Sequence, residues 1–275
     1  MFEEVIHLLT KEYSLLLATT QKDFQAVKEV RNDVFSHRYS IYPELKKENW
    51  YIFSQDDEQS FIYLLQHKAT KKYVGTVRVF FINEHTPVQK MPMERDGHVE
   101  NIKDFTKNVP ICEVSRLVLS NTLPEYKGLS ALRLRTYLTV GLMSTIGINI
   151  FLYQYTNIFS MMEPSLHRIL KRQGVNFESI GDAVDYYGMR KPYVIKREKL
   201  IGESKNILGQ LTLFYLKELC QAPEKFWQFI DNNPYLEHSD IHLDKICQLF
   251  NEYGDDVDIP LLLGNHKIDL TEKYT

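Results

Sequence analysis

The segment Ile111-Cys112-Glu113-Val114-Ser115-Arg116-Leu117-Val118-Leu119 restricts the fold of this chain more than any other. Its aliphatic residues read as a buried strand, yet a carboxylate and a guanidinium stand three residues apart in it. A buried charge is strongly unfavourable unless it is paired or hydrogen-bonded, so a core strand holds two only for a reason. Residues 73–82, Tyr-Val-Gly-Thr-Val-Arg-Val-Phe-Phe-Ile, raise the same question through Arg78. Two core strands with embedded charge, far apart in sequence, point to a polar pocket built on the middle of a sheet.

Around these strands the hydrophobic period alternates between strand and helix. Residues 2–9 read as a short helix and 13–19 as a first strand. Thr20 with Asp23 marks a helix start, a hydroxyl cap followed by an acid near the positive end. Phe24, Val27, Val30 and Val34 then fall at helical intervals, and Arg31 and Phe35 sit side by side on that helix. Residues 36–58 read as a long irregular loop, a feature that is more often functional than accidental. Residues 61–65 and 73–82 read as an antiparallel pair, 83–109 as a second variable stretch, 128–146 as a helix and 149–155 as a strand. Pro164 suits the first turn of a helix that runs to Gly174, with strands over 175–180 and 193–195. This order predicts an α/β sandwich with a mixed sheet. Helical patterns around 207–219, 226–230 and 242–250 follow, then a loose tail after Gly254. The chain thus divides into an α/β domain, 1–200, and an acidic helical C-terminal extension, 201–275.

Charge follows that division. Residues 201–275 hold 13 acidic and 6 basic side chains within a net charge of −3, which leaves residues 1–200 at +4. No Lys/Arg block of the kind that grips a phosphate backbone is present, which argues against nucleic acid. The first residues lack a signal peptide's basic head, and no run approaches 18 apolar residues, so no transmembrane segment is expected. Cys112, Cys220 and Cys247 show neither metal nor disulfide spacing, and their odd number argues for reduced thiols and a cytoplasmic location. The nine histidines show no metal spacing either, so no metal is expected.

Several motifs then carry a resemblance. Val30-Arg31-Asn32-Asp33-Val34-Phe35, the acidic pair Asp56-Asp57, Gly75-Thr76-Val77-Arg78 and Glu113-Val114-Ser115-Arg116 resemble, in order and approximate spacing, the acyl-homoserine lactone synthases. Met162-Glu163-Pro164-Ser165-Leu166-His167-Arg168-Ile169-Leu170, Gly174, Ile180-Gly181 and Asp185-Tyr186-Tyr187-Gly188-Met189-Arg190-Lys191-Pro192 resemble more closely their relatives, the N-acyl amino acid synthases and exosortase-associated acyltransferases. The resemblance covers about residues 20–197. It implies the GNAT acyltransferase fold, a mixed central sheet flanked by helices, with the C-terminal helical extension outside it. It also implies transfer of a fatty acyl group from acyl carrier protein, as a phosphopantetheine thioester, to the amino group of an amino acid. No bound cofactor is implied. The family's two loop acids stand three apart, whereas here Ser54 occupies the place before Asp57 and Asp56 is the nearby substitute. The glycine-rich pyrophosphate loop of coenzyme A-using relatives is reduced to Tyr126-Lys127-Gly128-Leu129-Ser130, which suits a donor without a nucleotide.

Under this resemblance Glu113 is the general base and Arg116 its orienting partner, whereas the residues alone favour a structural ion pair. Glu113 and Arg116 point to opposite faces of an ideal strand, and a β-bulge between them would bring them together. Arg31, Phe35, Asp57, Arg78 and Ser115 are the expected substrate-binding residues. Arg168, Lys171 and Arg172 form an expected landing surface for the acidic carrier protein, with a plain solvated face as the alternative. The aromatic and methionine residues of 149–162 read first as core. The competing functional readings are a lactone synthase using S-adenosylmethionine and a non-catalytic module that binds carrier protein.

Overall fold

A computed structural model describes residues 2–38, 52–100, 102, 111–186, 188–197, 199 and 207–264. Helix α1 (Phe2–Glu12) leads into β1 (Tyr13–Leu17), and α2 (Gln21–Arg38) follows. The start of α2 is the expected one. Thr20 donates to Asp23 Oδ2 from its hydroxyl at 2.7 Å, and the Asp23 N–H donates back to that hydroxyl at 3.2 Å. Strands β2 (Ser60–His67), β3 (Tyr73–Ile82) and β4 (Ile111–Leu119) continue an antiparallel run, with a short helix α3 (Pro92–Arg95) between β3 and β4. Helices α4 (Ala131–Met143) and α5 (Thr145–Tyr153) carry the chain to β5 (Asn157–Met162), which lies parallel to β4. After α6 (Pro164–Arg172) come β6 (Glu178–Ser179), β7 (Val184–Asp185) and β8 (Met189–Lys196). The strand order is β1-β2-β3-β4-β5-β8-β6, with β7 paired to β8. This is the mixed, helix-flanked sheet expected of a GNAT-like fold.

The two faces of the sheet differ. Val77, Val79 and Phe81 of β3 and Cys112 and Val114 of β4 enter one continuous apolar core beneath α1, α4 and α5. The C-terminal helices α7 (Ile207–Gln221), α8 (Glu224–Asp231), α9 (Leu243–Tyr253) and α10 (Ile259–Gly264) contribute Leu211, Phe226, Ile246 and Leu262 to the same core. The opposite face holds two smaller clusters. Ala26 and Val27 of α2 pack on Ile62 and Leu64, and Met91, Met93 and Ile102 pack on Phe80, Ile111 and Phe159. Arg78, Ser115 and Glu113 share this face with Phe80, because Arg78 pairs with Ser115 and Phe80 with Glu113.

Three expectations are corrected. Residues 149–155 are not a strand: α5 runs to Tyr153 and is buried along its whole length. An apolar run with no polar side has the same appearance whether it is a buried helix or a buried strand. Gln154, at φ 54°, ends it and frees the chain for β5. The strand expected over 175–180 shrinks to Glu178–Ser179, which pairs with the edge of β8 opposite β5. Cys220 and Cys247 are joined in a disulfide, while Cys112 is free and buried. Helices α7 and α9 pack together and bring the two Cα atoms to 5.1 Å, a meeting that a separation of 27 residues does not announce. The cytoplasmic expectation thereby loses the support of the thiol count. The stretch Ala131–Tyr153 is long and apolar enough to pass for a membrane span, but its most apolar 18 residues are 94% buried inside the fold. Parts of the loops expected at 36–58 and 83–109, and the end of the tail after Gly254, lie outside the described residues.

Candidate active site

The site begins with a slip in strand pairing. From Ile82 opposite Ile111 to Arg78 opposite Ser115, β3 and β4 keep step, but Thr76 faces Val118. Two steps on β3 therefore span three on β4. The extra residue lies at the bulge, where Arg116 has φ 53°, a left-handed conformation that side chains other than glycine adopt at a cost. On the other edge, β4 pairs with β5 only over Ile111, Cys112 and Glu113. Beyond Glu113 the two strands part, with the Ser160 hydroxyl donating to the Val114 carbonyl at 2.8 Å. The gap is a cleft of about 390 Å³. Phe35, Leu117, Met143 and Leu166 give it an apolar wall, and Glu113, Ser115, Arg116 and Tyr186 a polar one.

Glu113 is 2% exposed and accepts a hydrogen bond from the Met93 N–H at 2.8 Å. Burial is the largest influence on its acidity and pushes the carboxyl up to about 7; the Met93 N–H and Arg78 oppose it, and Asp56 and Asp96 add to it. A carboxylate balanced near neutrality suits proton transfer. Arg116 also lines the cleft, and burial, then repulsion from Arg78 and Arg31, lowers its guanidinium to about 9.

Behind the cleft runs a seam of charge. Arg31 and Asp57, both fully buried side chains, meet at 2.9 Å, and Arg31 also donates to the Ile52 carbonyl at 3.0 Å. Arg78 donates from Nε to Ser115 Oγ at 3.0 Å and stands 3.6 Å from Asp56 and 3.8 Å from Asp57. Arg95 closes the far end on Asp56 at 2.8 Å and on Asp96 at 2.9 Å. Burial on its own raises the pKa of Asp57, but Arg31 and Arg78 outweigh it and hold the carboxyl down at about 2. Ser54, in place of the missing acid, donates its N–H to Asp57 Oδ2 at 2.7 Å and so orients the carboxylate instead of adding charge.

The residues singled out from sequence thus separate into three places. Glu113, Arg116, Ser115, Phe35 and Arg78 line one cleft. Arg31 and Asp57 stand behind it, reaching it through Arg78. Arg168, Lys171 and Arg172 are exposed on α6, whose Leu166 and Leu170 line the cleft from the same helix. Sequence reasoning missed Arg190, Tyr186 and Arg135 as cleft residues and Arg95 as the end of the seam. Tyr186 and Arg190 lay within a quoted motif, but only the folding of β7 onto β8 reveals that they face the cleft. Asp33 was likewise quoted without a role. It accepts from Ser120 Oγ at 2.7 Å and from the Asn121 N–H at 2.9 Å, tying α2 to the end of β4.

No protein-family profile and no curated protein matches this chain. Among solved structures it is similar to FeeM, an N-acyl amino acid synthase from uncultured soil microbes, at 12% identity over 70% of this chain and 93% of that one, with a TM-score of 0.47. It is also similar to the AHL synthase LasI, at 13% identity over 69% and 95% of the two chains, with a TM-score of 0.41. A putative N-acetyltransferase from Lactobacillus plantarum matches at 12% identity over 68% and 99%, with a TM-score of 0.40.

Proposed function

We propose that this protein is an N-acyltransferase that moves a fatty acyl group from acyl carrier protein to the amino group of an amino acid. The observation that carries this reading is Glu113: a buried carboxyl with a pKa raised to about 7, set where β4 and β5 part to open a cleft. An ammonium group cannot attack a thioester. Glu113 takes one proton from it, directly or through a water, and the freed nitrogen attacks the thioester carbonyl carbon. The resulting oxyanion faces the β4 edge that β5 leaves open past Glu113, where backbone N–H groups serve as donors. The carbon–sulfur bond then breaks, the pantetheine sulfur leaves as a thiol after taking up a proton, and the nitrogen gives up its second proton. The products are an N-acyl amino acid, free carrier thiol and one proton released to water.

The apolar wall of Phe35, Leu117, Met143 and Leu166 suits an acyl chain. The reduced segment before α4 suits a donor that brings pantetheine without a nucleotide. The exposed basic groups of α6 beside the cleft suit an acidic carrier. Mass spectrometry of lipid extracts from cells with and without the protein tests the reading. An N-acyl amino acid that appears with the wild-type chain and disappears with Glu113→Gln supports it. A lactone product, or no acylated product from any donor, overturns it.

A further inference from the structure

Gln59 is a buried polar residue that the reaction above does not use. It directly precedes β2, is 1% exposed, and engages every polar group it has. Its N–H donates to the Asp56 carbonyl at 3.2 Å, and its carbonyl accepts from the Phe81 N–H at 3.4 Å. Its side-chain Nε2 donates to the Phe81 and Val88 carbonyls at 2.7 and 2.9 Å, and Oε1 accepts from the Val88 N–H at 3.2 Å. A methionine would fill the same space without the cost of desolvating an amide, so what the amide adds is its grip.

The gripped segment leads to the base. Among residues 83–90, which join β3 to α3, Thr86 alone is buried. Such a stretch has little apolar contact to fix it, and the Gln59 amide ties both backbone groups of Val88 to the start of β2. Five residues beyond Val88, Met93 stands in the first turn of α3, where an N–H has no carbonyl of its own helix to bond, and it donates to Glu113 at 2.8 Å. Met91 and Met93 seat this turn on Phe80 and Phe159. Apolar packing is non-directional, whereas a hydrogen bond weakens steeply with angle. The aim of the Met93 N–H therefore depends on how the chain enters the turn, through Val88.

We propose that Gln59 is a positioning residue for proton transfer: by pinning Val88 it keeps the Met93 N–H on Glu113 and the carboxyl aimed into the cleft. The inference rests on the acyltransferase reading above and deepens it. Burial raises the Glu113 carboxyl to about 7; the Met93 N–H and Arg78 oppose it, and Asp56 and Asp96 add to it. The Tyr186 phenol faces it from the β7–β8 hairpin. Of these influences the Met93 N–H is the one whose position the Gln59 side chain governs. The bond to the Asp56 carbonyl comes from the Gln59 backbone and survives a change of side chain. Replacing the amide should therefore withdraw a donor from the charged form of Glu113 and leave the rest of its surroundings in place.

A titration of Glu113 itself tests this without any substrate. The full chain is labelled with carbon-13 at the glutamate carboxyls and followed by NMR against pH, with the Glu113 signal assigned by its loss in Glu113→Gln. In the wild type the midpoint should lie at about 7. Gln59→Met, which keeps the volume and removes the amide, should raise it by about tenfold in proton affinity, to about 8, the effect of losing one hydrogen bond to a charged group. If Gln59→Met fails to fold, Gln59→Asn is the milder variant. It keeps an amide but is one methylene too short to span to Val88, and should move the midpoint the same way by less. A midpoint that stays at the wild-type value in the folded variant overturns the positioning role and leaves the acyltransferase reading standing. A wild-type Glu113 that titrates as an ordinary carboxyl overturns that reading and the positioning role together.

Discussion

The two faces of the central sheet obey different rules. Beneath α4, α5 and the C-terminal helices Val77, Val79 and Phe81 of β3 and Cys112 and Val114 of β4 enter one continuous apolar core. On the opposite face the apolar packing is split in two, and the line between the halves holds Arg31, Asp57, Arg78 and Asp56, with Glu113 at its cleft end. The first face is what makes the chain fold, because buried apolar area is the main favourable term. The second works against that term, since each desolvated charge must be compensated by a partner. A chain selected for stability alone would join the two clusters with leucine and valine. The seam is therefore where the sequence departs from the requirements of folding, and such departures gather at functional sites.

The sharpest way to break this contrast is to neutralise Glu113, the buried carboxyl whose pKa is raised to about 7. Glu113→Gln should lower turnover by about 10²–10⁴, the usual contribution of a general base, while leaving the circular dichroism spectrum unchanged. The wild-type rate should rise with pH up to about 7 and level off above it, because Glu113 acts only when deprotonated. Stability should move the other way. A carboxyl whose folded pKa of about 7 exceeds the ordinary 4.5 holds its proton more tightly in the folded state, so its favourable contribution is complete below 4.5 and is lost as pH rises towards 7. At pH 8 the glutamine variant should melt at or above the wild type. A variant that melts far below it, with activity lost in step, would make Glu113 a structural residue.

Cutting the seam itself should have the next largest effect. Asp57→Asn leaves Arg31 buried without its anion and should cost about 3–5 kcal/mol in denaturant unfolding. Replacing both partners with apolar residues, Arg31→Met with Asp57→Leu, should recover much of that stability, because the desolvation penalty disappears with the pair. The sign with pH is opposite to that of Glu113. With Asp57 held at about 2 in the folded protein against 3.8, its contribution is present above 3.8 and is lost as pH falls towards 2. On the apolar face Leu138→Ala should cost about 2–5 kcal/mol through the cavity it opens, with no such acid dependence. The difference in pH response between Asp57→Asn and Leu138→Ala is the measurement that separates the faces.

The charged face was the more legible of the two in sequence. Arg78 and Glu113 interrupt runs that are otherwise apolar, and an interrupted core strand announces a site. The bulge that Glu113 and Arg116 require is present at Arg116 for the same reason: strict alternation cannot put both on one side. The apolar face concealed its details. Nothing in the run over 145–153 distinguishes helix from strand, because burial on all sides erases the period. Cys220 and Cys247 meet only because α7 and α9 pack together, and Arg190 reaches the cleft only because β7 folds back on β8. Long-range juxtaposition leaves no mark in local pattern.

The smallest effect belongs outside both faces, on α6. Arg168, Lys171 and Arg172 are exposed there, while Leu166 and Leu170 of the same helix line the cleft. A carrier protein that delivers its pantetheine arm into the cleft must come to rest beside this helix. Exposed charges act mainly on encounter and are screened within a Debye length, about 8–10 Å at physiological salt. Reversing all three charges should therefore lower kcat/KM for the acyl carrier protein by about tenfold at low salt and by much less at 0.5 M salt. Turnover of a free acyl-pantetheine thioester, which has no carrier to steer, should not change at either salt. Equal losses with both donors would place the effect in the cleft and reduce the α6 charges to a solvated surface.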